Sequence, residues 1–183
     1  MISTDSAFNT AVFRALCGCL ELSPSSAEAS ALLRPFPGDP ESPPPPPRST
    51  NVIYYDVRPE SAPDAGYQVY ASEDATVYAA RSSVSSFLPY RLTVICYGPD
   101  CERNAHKIRS FLYLDSSEHP RGILRKAGVY PVPRPPMPVL IDEEEGNLLR
   151  RRADLAVSLR VTDTLVRENR RFGISEPPAV ILF

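Results

Sequence analysis

The sequence predicts an α+β fold: an antiparallel-dominated β-sheet with two helices packed on one face, a projecting hairpin and a proline-rich spacer. Apolar residues recur at helical spacing twice, in residues 5–21 and 100–115. Runs rich in Val, Ile and Tyr, separated by turn residues, are typical of strands. Residues 152–162 alternate apolar and polar side chains, which indicates a strand with one buried face.

Length and charge set the class of protein. The chain has 183 residues, of which 43% are hydrophobic, and this suits one domain (residues 1–183) with its own core. The net charge of -2 excludes a basic field over the whole domain that would grip nucleic acid. No apolar run approaches the roughly 20 residues of a membrane helix. The N-terminus lacks a basic region and carries Asp5, so we expect a cytosol-like compartment rather than secretion.

The N-terminal part divides into a helical segment, residues 1–33, and a linker, residues 34–50. Phe8, Val12 and Leu16 define the apolar stripe of the first helix, which Thr4 or Asp5 can cap. Residues 25–33 predict a further short helical turn. Pro43 to Pro47 form five consecutive prolines, which cannot continue a helix and predict a stiff polyproline spacer.

An α+β core is predicted over residues 51–171. Strands are expected at 51–59 and 87–98, with a hairpin of about 60–85 between them whose two short strands flank a turn at 73–75. Gly98 ends the central strand, and Asp100 is placed to cap the second helix.

The second half of the core is predicted as loop and strand. A loop at 116–122 leads to an edge strand at 124–132, a rigid bridge at 133–138 and a short strand at 139–147. The last strand, from Arg152 to Val166, would be about 50 Å long at roughly 3.3 Å per residue, so it either bends or ends as a helix. Residues 172–183 form a C-terminal tail that ends in the apolar run PPAVILF.

No constellation of catalytic residues stands out, so we expect neither an enzyme nor a cofactor. His106 and His119 are isolated, and no phosphate-binding or metalloprotease motif occurs. The spacings of the four cysteines are not those of a zinc site, and buried small apolar residues are the simpler interpretation. The acidic run Asp142–Glu145 lacks the alternating ligands of a calcium loop and is interpreted as a solvated turn.

The arginine cluster leaves three interpretations open. Arg150, Arg151 and Arg152 could form a nucleic-acid patch, a solvated entrance to the strand, or a contact with a carboxylate-rich patch on a neighbouring subunit. The nearby residues are acidic or apolar, which disfavours nucleic acid. Glu143, Glu144 and Glu145 could lie opposite these arginines across one hairpin.

The order of segments resembles a known family. YRLTVICYGPDCERNAHKIRSFLYL is followed by ILRKAGVYPVPRP and then RRRADLAVSLRVTDTL, and this order resembles the neck or tail terminator proteins of tailed bacteriophages. Gly98 and the helix after it match the middle of that pattern. Arg152, Leu155, Val157 and Leu159 match its final R-x-x-L-x-V-x-L strand.

The resemblance implies a structural virion protein, assembled in the host cytoplasm. Such proteins form a ring, usually six-fold, at the head-proximal end of the tail, where they end growth of the tube and join the tail to the neck. The implied partners are further copies of the chain, the tail-tube protein and a head-completion protein, while genomic DNA passes through the lumen without sequence-specific binding. No membrane partner is implied.

The candidate interface combines the charged hairpin with the apolar tail, namely Arg150, Arg151, Arg152, Glu143, Glu144, Glu145, Val180, Ile181, Leu182 and Phe183. Three alternatives remain: another head–tail connector or head-closure protein, a small nucleic-acid-binding module that uses the arginines, and an enzyme with a metal at residues 142–145.

Overall fold

The computed structural model describes residues 6–36, 47–60, 70–76, 79–113, 119–145 and 148–169. Within these ranges the chain forms four helices: α1 (Ser6–Cys19), α2 (Ala27–Leu32), α3 (Cys101–Tyr113) and α4 (His119–Lys126). It also forms seven strands: β1 (Leu33–Pro35), β2 (Val52–Pro59), β3 (Tyr70–Thr76), β4 (Ala79–Tyr97), β5 (Val129–Pro131), β6 (Val139–Glu145) and β7 (Leu148–Asn169). No helix in the described ranges is long and apolar enough to cross a bilayer.

All seven strands belong to one sheet built around β4 and β7. These two strands pair antiparallel and without interruption from Tyr97↔Arg152 to Ala80↔Asn169. Strands β2 and β3 pair with the other side of β4, and β1 lies parallel to β2. Strands β5 and β6 pair with the other side of β7. The predicted α+β class with an antiparallel-dominated sheet is confirmed.

One face of the sheet forms the core. Alternate residues of β7 are buried, as the period-two pattern predicts, and they pair with alternate buried residues of β4. Helices α1, α3 and α4 cover this face. The buried side chains that they and the two strands contribute include Val12, Leu16, Leu92, Val94, Cys96, Ala105, Ile108, Leu112, Leu124, Leu155, Val157 and Leu159. The opposite face, called the open face below, carries polar and aromatic side chains.

The strand β4 is longer than the sequence indicates. A short strand at 75–82 and a separate strand at 87–98 were expected, but β4 is continuous through Pro89. Pro89 is tolerated in β4 because it lies opposite the position just past the end of β2, where the sheet does not need an amide from it. The carbonyl of Pro89 still accepts a hydrogen bond of 2.9 Å from the amide of Glu60. The turn expected at 73–75 is also wrong, since these residues belong to β3. A helical end at 164–173 was the alternative, but strand β7 continues to Asn169, so residues 164–169 are not helical; residues 170–173 lie outside the described residues.

Helix α4 replaces part of a predicted loop and strand. Residues 119–126 are helical, and only Val129–Pro131 of the expected edge strand are extended. Pro120 and Leu124 lie one helical turn apart and both are buried. The Arg121 side chain donates from Nε to the carbonyl of Leu112 at 2.7 Å and from Nη2 to that of Tyr113, which satisfies carbonyl groups at the end of α3. Tertiary contacts therefore stabilise α4.

The N-terminal helices agree with the sequence. Helix α1 and the short α2 lie where the periodicity predicts, and Ser26 caps α2 by accepting a hydrogen bond of 3.1 Å from the amide of Ala29. The proposed caps of α1, Thr4 and Asp5, lie outside the described residues, as do residues 37–46 of the spacer. The first two residues of that spacer, Arg34 and Pro35, belong to β1.

Candidate subunit-contact site

The acidic run Asp142–Glu145 belongs to strand β6, so the expectation of a solvated turn there is wrong. The run faces the arginines across the β6–β7 hairpin, as the sequence predicts. Their backbones pair as Asp142↔Arg151, Glu143↔Arg150 and Glu144↔Leu149. Because side chains alternate along a strand, Glu143, Arg150 and Arg152 point to the open face, while Asp142 and Arg151 point to the other. The hairpin thus divides both charge runs between two faces of the sheet.

On the open face, Arg152 is the centre of a polar network that joins three strands. Its Nη1 lies 3.1 Å from Glu143 Oε1 in β6 and 3.4 Å from the Tyr97 hydroxyl in β4. The Tyr97 hydroxyl donates a hydrogen bond of 3.3 Å to Glu143 Oε2. Nη2 of Arg152 donates to Asp154 Oδ2 at 3.3 Å, and Nε lies 3.2 Å from Oδ1 of the same carboxylate, an ion pair without hydrogen-bond geometry. Arg152 is therefore engaged by its own chain.

Arg150 is held against an aromatic row on the same face. Its guanidinium carbon lies 4.5 Å from the centroid of the Tyr97 ring, and only 4% of the residue is exposed. The Tyr97 ring meets Tyr54 edge-on at 6.1 Å, and Tyr54 meets Phe36 in the same way at 6.1 Å. The row runs from Phe36, which follows β1, through Tyr54 in β2 and Tyr97 in β4, and ends at Arg150.

Arg151 differs from its two neighbours because it lies on the surface. Its Nε donates a hydrogen bond of 3.1 Å to Asp142 Oδ1, and both side chains are exposed. That hydrogen bond raises the pKa of Arg151 above its ordinary value. An exposed pair of this kind contributes little to stability.

Burial sets the protonation of the network. Burial raises the pKa of the Tyr97 hydroxyl, and the hydrogen bond from Arg152 acts in the opposite direction with smaller effect. Burial also raises the pKa of the Asp154 carboxyl, against the attraction of Arg152. For Arg152, burial lowers the pKa, but the contacts with Tyr97, Asp154 and Glu143 together raise it above the ordinary value. At neutral pH the network therefore holds a cationic Arg152 and a neutral Tyr97.

The structure brings only part of the predicted interface together. Arg150, Arg151, Arg152 and Glu143 meet in the hairpin, and Glu144 is exposed beside them. The backbone of Glu145 belongs to β6, whereas its side chain lies outside the described set. Val180, Ile181, Leu182 and Phe183 lie outside the described residues.

Four members of the site were not predicted from the sequence, namely Tyr97, Asp154, Tyr54 and Phe36. The period-two pattern that starts at Arg152 could have found Asp154, because residues two apart share a face. Tyr97 could not be found, because its position opposite Arg152 depends on the register of two strands far apart in the chain.

This arrangement favours contact over chemistry. Of the three arginines, only Arg151 is strongly exposed, and it is paired with Asp142, so the hairpin offers no basic track of the kind that binds nucleic acid. Asp142 and Glu143 point to opposite faces, which separates the carboxylates that a metal would need. In the part of the chain that the structure describes, no group of three His, Cys, Asp or Glu residues could hold a metal ion.

A shallow hollow of about 500 Å³ lies on the open face beside the aromatic row. Its charged lining is paired within the chain: Arg58 with Asp56, and Arg91 with Glu60. Each of these four charged side chains is therefore compensated by its partner.

Taken together, the long shared sheet and the charge pairs of the β6–β7 hairpin define an α+β protein with a charged hairpin at its surface. The family model described as "Phage neck terminator protein" matches residues 6–176. The chain therefore belongs to the phage neck terminator protein family, and the predicted resemblance is confirmed. A comparison with curated proteins finds no match.

Membership in this family defines the general role. The family is one of structural bacteriophage proteins and not of enzymes. It implies a location in the tail or neck of the virion and interaction with other tail or head proteins. The match begins at α1 and runs past the end of β7, so it includes every element described above.

Proposed function

We propose that this protein forms a ring, usually of six copies, at the head-proximal end of the phage tail. The ring ends growth of the tail tube and joins the tail to the head-completion proteins of the neck. The single observation that carries this proposal is the family match over residues 6–176. A ring needs head-to-tail contacts between different surfaces of identical subunits, and these contacts must close.

The β6–β7 hairpin supplies one such surface. Its open face is fixed by the Arg152 network, so the hairpin is a rigid support. Its other face presents Arg151, Asp142, Glu144 and the strongly exposed Leu149 to solvent. A mixed patch of both charges around an apolar residue is the chemistry of a protein contact rather than of a nucleic-acid contact.

Charge supports passage of DNA without retention. The chain carries 20 Lys and Arg against 22 Asp and Glu, so a ring of identical copies has a net negative charge. Phosphates bind where several cations gather, and the described arginines of the hairpin are already engaged by carboxylates or aromatic rings. A lumen without a strong cationic lining lets DNA slide.

The test is the mass of the purified protein by light scattering, alone and after mixing with the tail-tube protein of the same phage. We expect either a mass near six subunits of 20.2 kDa in solution or binding to the ends of assembled tubes, seen by electron microscopy. Capture along the sides of the tubes, rather than at their ends, would contradict a terminating role.

A binding experiment with duplex DNA separates the proposal from its alternative. A nucleic-acid module would bind at low salt and lose affinity steeply as salt rises, and replacing Arg151 would weaken that binding. We expect no such binding. A protein that stays monomeric, does not bind tail tubes and binds DNA in this manner would contradict the proposed ring and support a nucleic-acid-binding function.

A further inference from the structure

Strand β6 exposes an apolar outer edge. Met137, which precedes it, is 64% exposed, and Val139 and Leu140 within it are 58% and 46% exposed. One side of β6 pairs with β7, and in the described ranges no strand pairs with its other side. Large apolar side chains therefore surround backbone N–H and C=O groups that face outward.

Such an exposed sheet edge is unusual for a protein that remains monomeric. Sheet edges are usually protected by short strands, prolines or lysines. The opposite edge, β1, follows this rule because it has three residues and ends in Pro35. Strand β6 has seven residues, of which the acidic run Asp142–Glu145 is protected by its charge, whereas Val139–Ile141 carries no charge. An uncovered edge of this kind is a template for a further strand.

We infer that the outer edge of β6 is covered by the apolar C-terminal segment, Ala179–Phe183, of a neighbouring copy of this chain, which adds a strand to the sheet. This inference rests on the proposed ring and names one of its contacts. The segment AVILF is uncharged and rich in β-branched and aromatic residues, as an added strand requires. Pro177 and Pro178 precede it, and prolines favour an extended approach.

Chain length explains why the occupant comes from a neighbour. The tail leaves β7 at Asn169, and the first residue of β6, Val139, pairs with β7 at Asp154. Asn169 and Asp154 are about 15 residues, or about 50 Å, apart along β7. From Asn169 to Val180 the chain has about 11 residues, which span at most about 40 Å when fully extended. The tail of one copy is therefore too short to place the whole segment Ala179–Phe183 alongside its own β6, and the same contact repeated from copy to copy is head-to-tail, as a ring needs.

The first test uses two full-length variants. The tail variant carries Ile181→Asp and Leu182→Asp, and the edge variant carries Val139→Asp and Leu140→Asp, so the altered tail and the altered edge repel each other. Each variant alone has lost one half of the contact, so neither can propagate it. Mixed in equal amounts, the tail of the edge variant can still occupy the edge of the tail variant. We expect two monomers when they are kept apart and a one-to-one pair when they are mixed, measured by light scattering.

A control variant with Ala27→Glu and Ala31→Glu carries the same added negative charge as the aspartate variants, on exposed positions of α2. It should behave like the unaltered protein in every assay. Circular dichroism spectra of all variants establish that each is folded.

A second readout does not depend on ring formation. A synthetic peptide of residues 174–183 is titrated into the tail variant, whose edge is intact and vacant. We expect binding, at least a tenfold weaker affinity for the edge variant, and no binding of a peptide that carries the two aspartates. Equal binding to both variants, or none to either, would overturn the inference.

The outcomes separate the inference from the function it rests on. If the unaltered protein forms rings and both variants do too, the tail does not cover the edge, although the ring stands. If the unaltered protein neither forms rings nor meets tubes, the ring fails, and the peptide titration alone decides whether the segment recognises β6.

Discussion

Gly98 shows how one residue fixes the junction between the sheet and α3. Its φ of +102° is a conformation that side chains with a Cβ rarely adopt. A Cβ at this position would lie 2.6 Å from both Asn51 Oδ1 and the carbonyl oxygen of Thr50. Asn51 is held there because it donates to Asp100 Oδ2 at 2.8 Å and accepts from the Asp100 amide at 3.0 Å. The turn after β4 is therefore closed against the start of β2.

Replacing Gly98 with alanine should destabilise the protein by roughly 2 to 4 kcal/mol, because both the backbone conformation and the space oppose a methyl group. Gly122→Ala is the matched control. Gly122 lies within α4, nothing would contact its Cβ within 4 Å, and alanine there should stabilise by about 0.5–1 kcal/mol. Urea unfolding of both variants measures the two free energies of unfolding. An unchanged or higher free energy of unfolding in the Gly98→Ala variant would show that the turn is not constrained as described.

At the scale of elements, the β6–β7 hairpin shows two kinds of charge pair within a few residues. Arg152 joins β4, β6 and β7 through partly buried contacts, whereas the pair of Arg151 with Asp142 is exposed. Solvent and salt screen the second pair but act much less on the first. The hairpin is therefore anchored to the sheet through its open face.

Arg152→Ala should lower the free energy of unfolding by about 1 to 2 kcal/mol, because Asp154 and the Tyr97 hydroxyl lose a charged partner in a partly screened site. Arg151→Ala should leave the urea midpoint nearly unchanged. The comparison is made at neutral pH in low and high salt. An equal loss in the two variants would mean that the network on the open face does not anchor the hairpin.

The sequence predicts elements well where a local pattern and tertiary packing agree. Helices α1 and α3, the alternation of β7 and the opposition of acidic and basic residues across the hairpin all follow from spacing alone. Helix α4 does not, because eight residues that contain Pro120 and Gly122 have little helical tendency of their own. Its formation depends on burial of Leu124 and on the contact of Arg121 with the end of α3.

The candidate site was predictable to the same extent. The charged residues of the hairpin were found because they are adjacent in sequence. The aromatic row and Tyr97 were not, because they reach Arg150 and Arg152 only through pairings between distant strands. Side-chain contacts across such ladders require the register, which local composition does not contain.

At the scale of the whole molecule, one core joins the helices to the sheet, and all four cysteines lie in it. Cys17 and Cys19 come from α1, Cys96 from β4 and Cys101 from the start of α3, and each is buried and outside any disulfide. The expectation that they are small apolar core residues is confirmed. Burial raises the pKa of the Cys17 and Cys96 thiols, so their reactive thiolate forms are disfavoured.

We therefore expect none of the four thiols to react rapidly with a thiol reagent at pH 8 in the native protein. In denaturant all four should react, and the slow native rate should follow the opening of the whole core. The measurement is a spectrophotometric titration with and without guanidinium. Rapid reaction of even one thiol would show that part of the core opens independently of the rest.

The uninterrupted ladder between β4 and β7 also dictates an order of folding. Its rungs join residues that are about 55 to 90 positions apart, with α3 and α4 in the intervening chain. Closing such long loops costs entropy before any rung forms, whereas the β6–β7 hairpin closes within a few residues. Local pieces, the hairpin and the helices, are therefore available early. We therefore expect the long ladder to complete late and to limit the rate at which each newly made chain folds.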